Sequence, residues 1–246
     1  MRQVNKMMMK RALSFLLLLS LGACSPQVTK KPINKLRVEA LNSFEVLPES
    51  IIDTNKNKDL IALGKKLYFE KKLSVNNSIS CNSCHQLDNA GVDNLPTSPG
   101  HEGKLGGRNS PTVYNAGLHF AQFWDGRAEN LEAQAVGPIL NPVEMGMPNA
   151  EAVVAKLSAE KEYLELFKKA FSDGSITYPR VGESIAAFEK TLLTPSRFDD
   201  FLRGDDYALT DKEKKGLFTF MDKGCIACHN GPAIGGNSFQ KLGDSI

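Results

Sequence analysis

The sequence leaves no cysteine pair for a structural disulfide. Of its five cysteines, four fall in two short motifs and the fifth is Cys24, so a disulfide-framed domain is not expected. Histidine is equally scarce: there are four, and two of them sit in the same motifs. Long apolar runs are lacking. The one candidate, Ala12 to Leu21, follows the basic residues Arg2, Lys6, Lys10 and Arg11 and has the length of a signal-peptide core, too short to span a bilayer. Charge of one sign is lacking too. The formal net charge is +2, but without that leader 26 Lys+Arg face 28 Asp+Glu, which gives no case for nucleic acid as a partner. Convincing strand runs and short-period repeats are also absent. The fold class expected is therefore mainly α, with long loops.

What is present is the pattern Cys-x-x-Cys-His, twice: Cys81, Cys84 and His85, then Cys225, Cys228 and His229. This is the attachment signature of c-type haem. Two cysteines three apart reach the vinyl groups of one porphyrin as thioethers, and the histidine that follows becomes the proximal iron ligand. Two copies imply two covalently bound haems and electron transfer between them. The competing reading is a zinc or redox Cys-x-x-Cys with a chance histidine. The histidine in both copies and the leader weigh against it.

The leader ends Leu21-Gly22-Ala23-Cys24, which resembles a bacterial lipobox. That implies removal of 1–24, lipidation of Cys24, and a periplasmic protein held to a membrane by its acyl chains alone. Ser25 after the cysteine points to the outer membrane. An ordinary secretory signal is the alternative. Residues 25–47 are polar without sustained periodicity and read as a flexible tether. Residues 48–195 form the first haem domain and 196–246 the start of a second, both cytochrome c-like. Helical spacing covers Asp59 to Phe69, Leu131 to Ala135, Ala150 to Phe171 and Val181 to Leu193. Residues 91–107, rich in Gly, Pro, Asn and Ser, read as a loop. Thr210 to Glu213 is a capping box that opens a helix leading into the second motif. After His229 there are 17 residues, none of them Met or His. The second unit is therefore expected to be incomplete, without a distal ligand, and a chain of this extent is not expected to finish a catalytic cycle.

Between the motifs lie Phe123-Trp124-Asp125-Gly126-Arg127-Ala128, Leu131-Glu132-Ala133-Gln134-Ala135, Gly137-Pro138-Ile139 and Asn141-Pro142-Val143-Glu144-Met145. With the two haem motifs and their separation, this stretch resembles the bacterial di-haem cytochrome c peroxidases. The resemblance runs from about Asp59 to the end of the chain and includes Leu63 to Tyr68 and Arg108 to Asn115. It implies that the first motif holds the peroxidatic haem, with His85 proximal and His101 as the resting-state distal ligand on a loop that moves away when the second haem is reduced. It implies a distal pair of Gln134 and Glu144, Trp124 between the haems, and Asn109 at an interdomain calcium. His229 would be proximal at the electron-transferring haem. The implied partners are hydrogen peroxide and a small donor protein, a cytochrome c or cupredoxin; a homodimer is compatible with the same resemblance.

Peroxide reduction asks for a group that takes a proton from one oxygen and returns it to the other. Glu144 is the candidate, with Gln134 to orient peroxide. Each residue also has a structural reading: Glu144 as a first-turn carboxylate, Trp124 as core, Gln134 as helix surface. His119 is taken as structural; Met145 and Met147 could ligate haem on chemistry alone, but their place in the first domain beside the pocket weighs against it. Two other functions compete. One is a di-haem oxidase that modifies protein side chains, of the tryptophylquinone-maturation type; the other is a non-catalytic electron-transfer cytochrome.

Overall fold

A computed structural model describes residues 34–241. The lipobox and Cys24 lie outside them. Among the described residues there are nine α-helices and no β-strand, only two isolated bridges, Pro99 with Leu105 and Gln122 with Ala128. The mainly helical expectation is met.

The helices are α1 (Lys35–Ala40), α2 (Lys58–Tyr68), α3 (Cys81–Cys84), α4 (Leu131–Leu140), α5 (Ala150–Ser158), α6 (Lys161–Ala170), α7 (Tyr178–Glu189), α8 (Arg197–Arg203) and α9 (Asp211–Asp222). Helix α7 is the centre of the first core. Thr177 caps it and Pro179 sits in its first turn, where a missing N–H costs nothing. It packs against α2 and α4. Gly64 permits the α2 contact, because a Cβ there would lie 1.8 Å from the Ser184 carbonyl oxygen. Leu63, Leu67, Ile139, Phe167, Val181 and Ile185 close around this contact with at most 1% exposure. Each such side chain contributes roughly 1.5–3 kcal/mol by leaving water.

The amphipathic pattern from Ala150 to Phe171 is two helices rather than one. The chain breaks at Ala159-Glu160, where Glu160 is extended. The buried positions explain it: Val153 and Leu157 share one phase, while Tyr163 and Phe167 share another. A continuous helix would carry Leu164, one heptad beyond Leu157, into the core; Leu164 is 45% exposed.

The tether reading fails for the described part of 25–47. Asn34 caps α1 through its side chain, and Arg37 pairs with Asp206 at 2.5 Å. The Leu47 amide donates to Asp199 Oδ1 at 2.8 Å. Phe44 sets its ring edge-on to Phe198 at 5.3 Å. A second hydrophobic cluster thus joins Ala40 and Phe44 to Phe201, Leu202 and Met221. A helix of six residues is too short to register as a periodic pattern. Its order comes from apolar contacts made more than 150 positions away.

Candidate functional site

The first motif forms the short helix α3. Ser80 and Ser83 cap it reciprocally, which fixes the two cysteines on consecutive turns. The His85 amide donates to the Cys81 carbonyl at 3.0 Å. The Tyr68 hydroxyl donates to the His85 carbonyl at 2.6 Å, so α2 holds the motif's end. The imidazole Nδ1–H donates to the Pro111 carbonyl at 3.0 Å. That bond fixes the tautomer and leaves Nε2 as the basic nitrogen. Burial lowers the His85 pKa, against hydrogen bonding to Pro111 and the charge of Asp93, so the imidazole is in its neutral, metal-binding form. Burial also pushes the Cys81 thiol up to about 12 and raises that of Cys84. Both cysteines are protonated rather than thiolate.

Above this motif lies a cavity of about 660 Å³, within the range of cofactor sites. Cys81, Cys84 and His85 form part of its wall, with Trp124, Gln134 and Glu144. Gln134 comes from α4, whose start is capped by the Asn130 side chain. Glu144 comes from the turn that follows. Its amide donates to the Asn141 carbonyl at 3.0 Å, and Asn141 Nδ2 donates to Glu144 Oε1 at 2.8 Å. Burial raises the Glu144 pKa, opposed by the Arg127 charge and the Asn141 bond. Asn141 lies at the end of α4, and Glu144 is three residues further on, in a turn. It is therefore not a first-turn carboxylate.

Trp124 is 52% exposed, so it is not a core residue; its Nε1 donates to the Asn109 carbonyl at 2.9 Å. Asn109 lines the same cavity. His101 does not. Its amide donates to the Glu144 carbonyl at 2.8 Å, which ties the two loops together, but its ring lies against Gly146. Gly146 has φ +67°, and a Cβ there would meet His101 Nε2 at 2.3 Å. In this position His101 Nδ1 is buried without a partner. Met145 and Met147 are buried in the first core, Met145 also at the cavity wall, and His119 is half-buried.

The second motif repeats the local pattern. His229 donates its amide to the Cys225 carbonyl at 2.9 Å, and its Nδ1–H to the Ile234 carbonyl at 3.3 Å. Its ring packs edge-on to Phe220 at 5.9 Å. Among the described residues, Cys225, Cys228 and His229 are exposed.

Two cavity residues were not singled out in the sequence. Arg127 lies over the Phe123 ring at 3.5 Å and pairs with Asp125 at 2.8 Å, while Arg108 holds the other Asp125 oxygen at 3.0 Å. Arg127, then Arg108, bring the Asp125 carboxyl down to about 2. The signal for Arg127 was its place in the Trp124–Ala128 stretch. Glu189, the last residue of α7, lines the cavity with 6% exposure. At a helix end it reads as a surface charge, and no sequence signal marks it.

The arrangement fits a haem: a large concave wall, two protonated thiols, and a neutral imidazole whose far nitrogen is already engaged. Among the described residues no three His, Cys, Asp or Glu side chains group as a metal site, so neither motif has the ligand set that a zinc site needs. The class this defines is a haem protein with a cavity at its first motif. Residues 58–207 match the di-haem cytochrome c peroxidase family. The chain is 45% identical to the cytochrome c551 peroxidase of Nitrosomonas europaea, over 96% of this chain and 68% of that one. It is 44% identical to the cytochrome c551 peroxidase of Pseudomonas aeruginosa, over 85% of this chain and 62% of that one. A crystal structure of a MauG-like protein associated with microbial copper homeostasis superposes with TM-score 0.67 at 29% identity, covering 75% of this chain and 56% of that one. The chain belongs to the di-haem cytochrome c peroxidase family, and spans about two thirds or less of the length of these relatives.

Proposed function

We propose that this chain, carrying haems joined covalently to Cys81 and Cys84 and to Cys225 and Cys228, reduces hydrogen peroxide to water with electrons from a small cytochrome c or cupredoxin. The observation that carries the reading is Glu144: a carboxyl drawn toward neutrality by burial, facing the same cavity as Gln134 above the first motif. A haem held there by Cys81, Cys84 and His85 would supply the redox chemistry, and the residues of the cavity wall would manage the protons. Glu144 takes the proton of one peroxide oxygen and returns it to the other, which leaves as water. Asn141 occupies Oε1, so Oε2 is the exchanging atom. Gln134 orients peroxide through its amide. Arg127 keeps enough positive charge nearby for the carboxylate to form.

The remaining assignments follow the family resemblance. His85 and His229 would hold the two haem irons, and His101, whose ring here lies against Gly146, would have to turn into the cavity to cap the first. The shared bond between the His101 and Glu144 loops supports a coupled movement of the two. Trp124, half-exposed at the rim, bridges toward the second haem. Asn109 contributes to an interdomain calcium site. Cys24 carries the lipid that holds the protein in the periplasm at the outer membrane, and the protein acts as a homodimer. A second reading, oxidation of protein side chains, follows from the same family resemblance. It predicts peroxide-dependent oxidation of a protein tryptophan in place of steady turnover with reduced cytochrome c.

The test is the half-reduced holoprotein with calcium, peroxide and reduced cytochrome c. Glu144→Gln should lower turnover by about 10²–10⁴-fold with haem content unchanged. Unchanged turnover removes Glu144 from the mechanism; a wild-type protein inert to peroxide removes the peroxidase reading.

A further inference from the structure

The reduction of one peroxide to two waters consumes two electrons and two protons. Glu144 returns the proton that it takes, so its shuttle supplies neither of the two. They must come from other groups, and the cavity wall holds a second carboxyl. We propose that Glu189 carries a proton at neutral pH and is the proton-storing residue of the haem cavity, holding that proton more tightly as electrons arrive there. This rests on the first motif holding the peroxide-reducing haem.

Four observations support it. Glu189 is 6% exposed and faces the cavity. Its Oε2 is buried without a hydrogen-bond partner, and an ionised oxygen in that state is strongly disfavoured. The neighbouring cation is committed elsewhere: Lys190 Nζ reaches Glu132 Oε1 at 2.5 Å. Burial, then the charge of Glu132, push the Glu189 pKa up to about 8. A carboxyl of this kind is neutral at rest and close to its titration point.

The groups around it add no competing proton site. From α2, Tyr68 has its hydroxyl committed to the His85 carbonyl, and burial raises its pKa. From α3 comes Cys81, which no longer titrates once joined to haem. From α4 comes Glu132, paired with Lys190. The single turn Ala116–Leu118, which also packs on α7, holds no titratable side chain. From α5, Lys156 donates to the Ser74 carbonyl at 2.7 Å and to Asn77 Oδ1 at 2.8 Å. A packing role alone would be met by glutamine or leucine at this position. An electron added to a buried centre favours protonation of a nearby acid, so Glu189 should hold its proton more tightly after reduction.

The test is potentiometric titration of the first haem in the holoprotein across pH, for wild type and Glu189→Gln, without peroxide. In wild type the midpoint potential should fall as pH rises through about 8, because the reduced state binds the proton more tightly. The variant should bind the same amount of haem and lose this slope. The same slope in both proteins overturns the proposal. Infrared redox-difference spectra of the wild type give a measurement that does not depend on the variant folding. A deuterium-sensitive carboxylic acid C=O band should respond to reduction of the first haem, and its absence overturns the proposal. Both measurements omit peroxide, so a protein inert to peroxide would sink the peroxidase reading while this proposal is still decided by slope and band.

Discussion

In both haem motifs the histidine amide closes onto the first cysteine's carbonyl, at 3.0 Å for His85 and 2.9 Å for His229. In both, Nδ1–H finds a downstream backbone carbonyl, Pro111 or Ile234. The surroundings differ. The first motif lies under a cavity of about 660 Å³ with two buried or half-buried carboxyls in its wall. Among the described residues, the second stands exposed beside Phe220. The pentapeptide therefore encodes a grip on haem, and the chemistry is encoded in what packs around it. Burial keeps the His85 imidazole neutral, protonates Cys81, and raises Glu144 and Glu189 together.

Two ring deletions test whether the surroundings are as separate as the two hydrophobic clusters suggest. Phe167→Ala empties a fully buried site in the first cluster and should cost about 3–5 kcal/mol. Phe44→Ala empties one in the second and should cost a similar amount, about 3–5 kcal/mol. Urea unfolding followed by the absorbance of each haem should show Phe167→Ala acting on the first motif and Phe44→Ala on the second. If Phe44→Ala leaves the second haem's transition unmoved, residues 34–47 are not part of that unit's core.

The next contrast is in pH. The folded pKa of Glu189, about 8, stands above its ordinary 4.5. The folded state therefore binds this proton more tightly than the unfolded chain does. Its stabilising effect is fully present below pH 4.5 and is lost as pH rises toward 8. Glu189→Gln should flatten this decline in holoprotein stability, by a few kcal/mol on the order set by linkage. The decline should appear in the first motif's unfolding transition. Denaturant midpoints collected across that pH range check both statements.

These residues also mark what sequence could reveal. Both motifs, Gln134 and Glu144 were visible because they stand in dense local patterns, and α2 and α9 because spacing and a capping box mark them. Helix α1 was hidden because its order depends on Phe198 and Phe201, far along the chain. The break at Glu160 was hidden because an apolar residue every three or four positions reads as one helix until its phase is followed through Leu164. Glu189 was hidden for a stronger reason. A carboxyl at a helix end is ordinary on a surface, and only the packing of α2 and α4 against α7 makes it exceptional.

The smallest effect concerns how each motif is anchored. Tyr68 sends its hydroxyl to the His85 carbonyl from a fully buried ring. The corresponding bond at the second motif runs from the half-buried Asn230 Nδ2 to the Ile226 carbonyl at 2.8 Å. Tyr68→Phe keeps the ring and strands a carbonyl inside the protein, which should cost roughly 1–3 kcal/mol. Asn230→Ala leaves its carbonyl nearer solvent, where water replaces the lost donor, and should cost about 0.5–1 kcal/mol. Denaturant midpoints read at each haem would measure both. Equal losses at the two sites would mean that the difference in burial does not reach the motif backbone, and that the contrast between the motifs begins only at the side chains of the cavity.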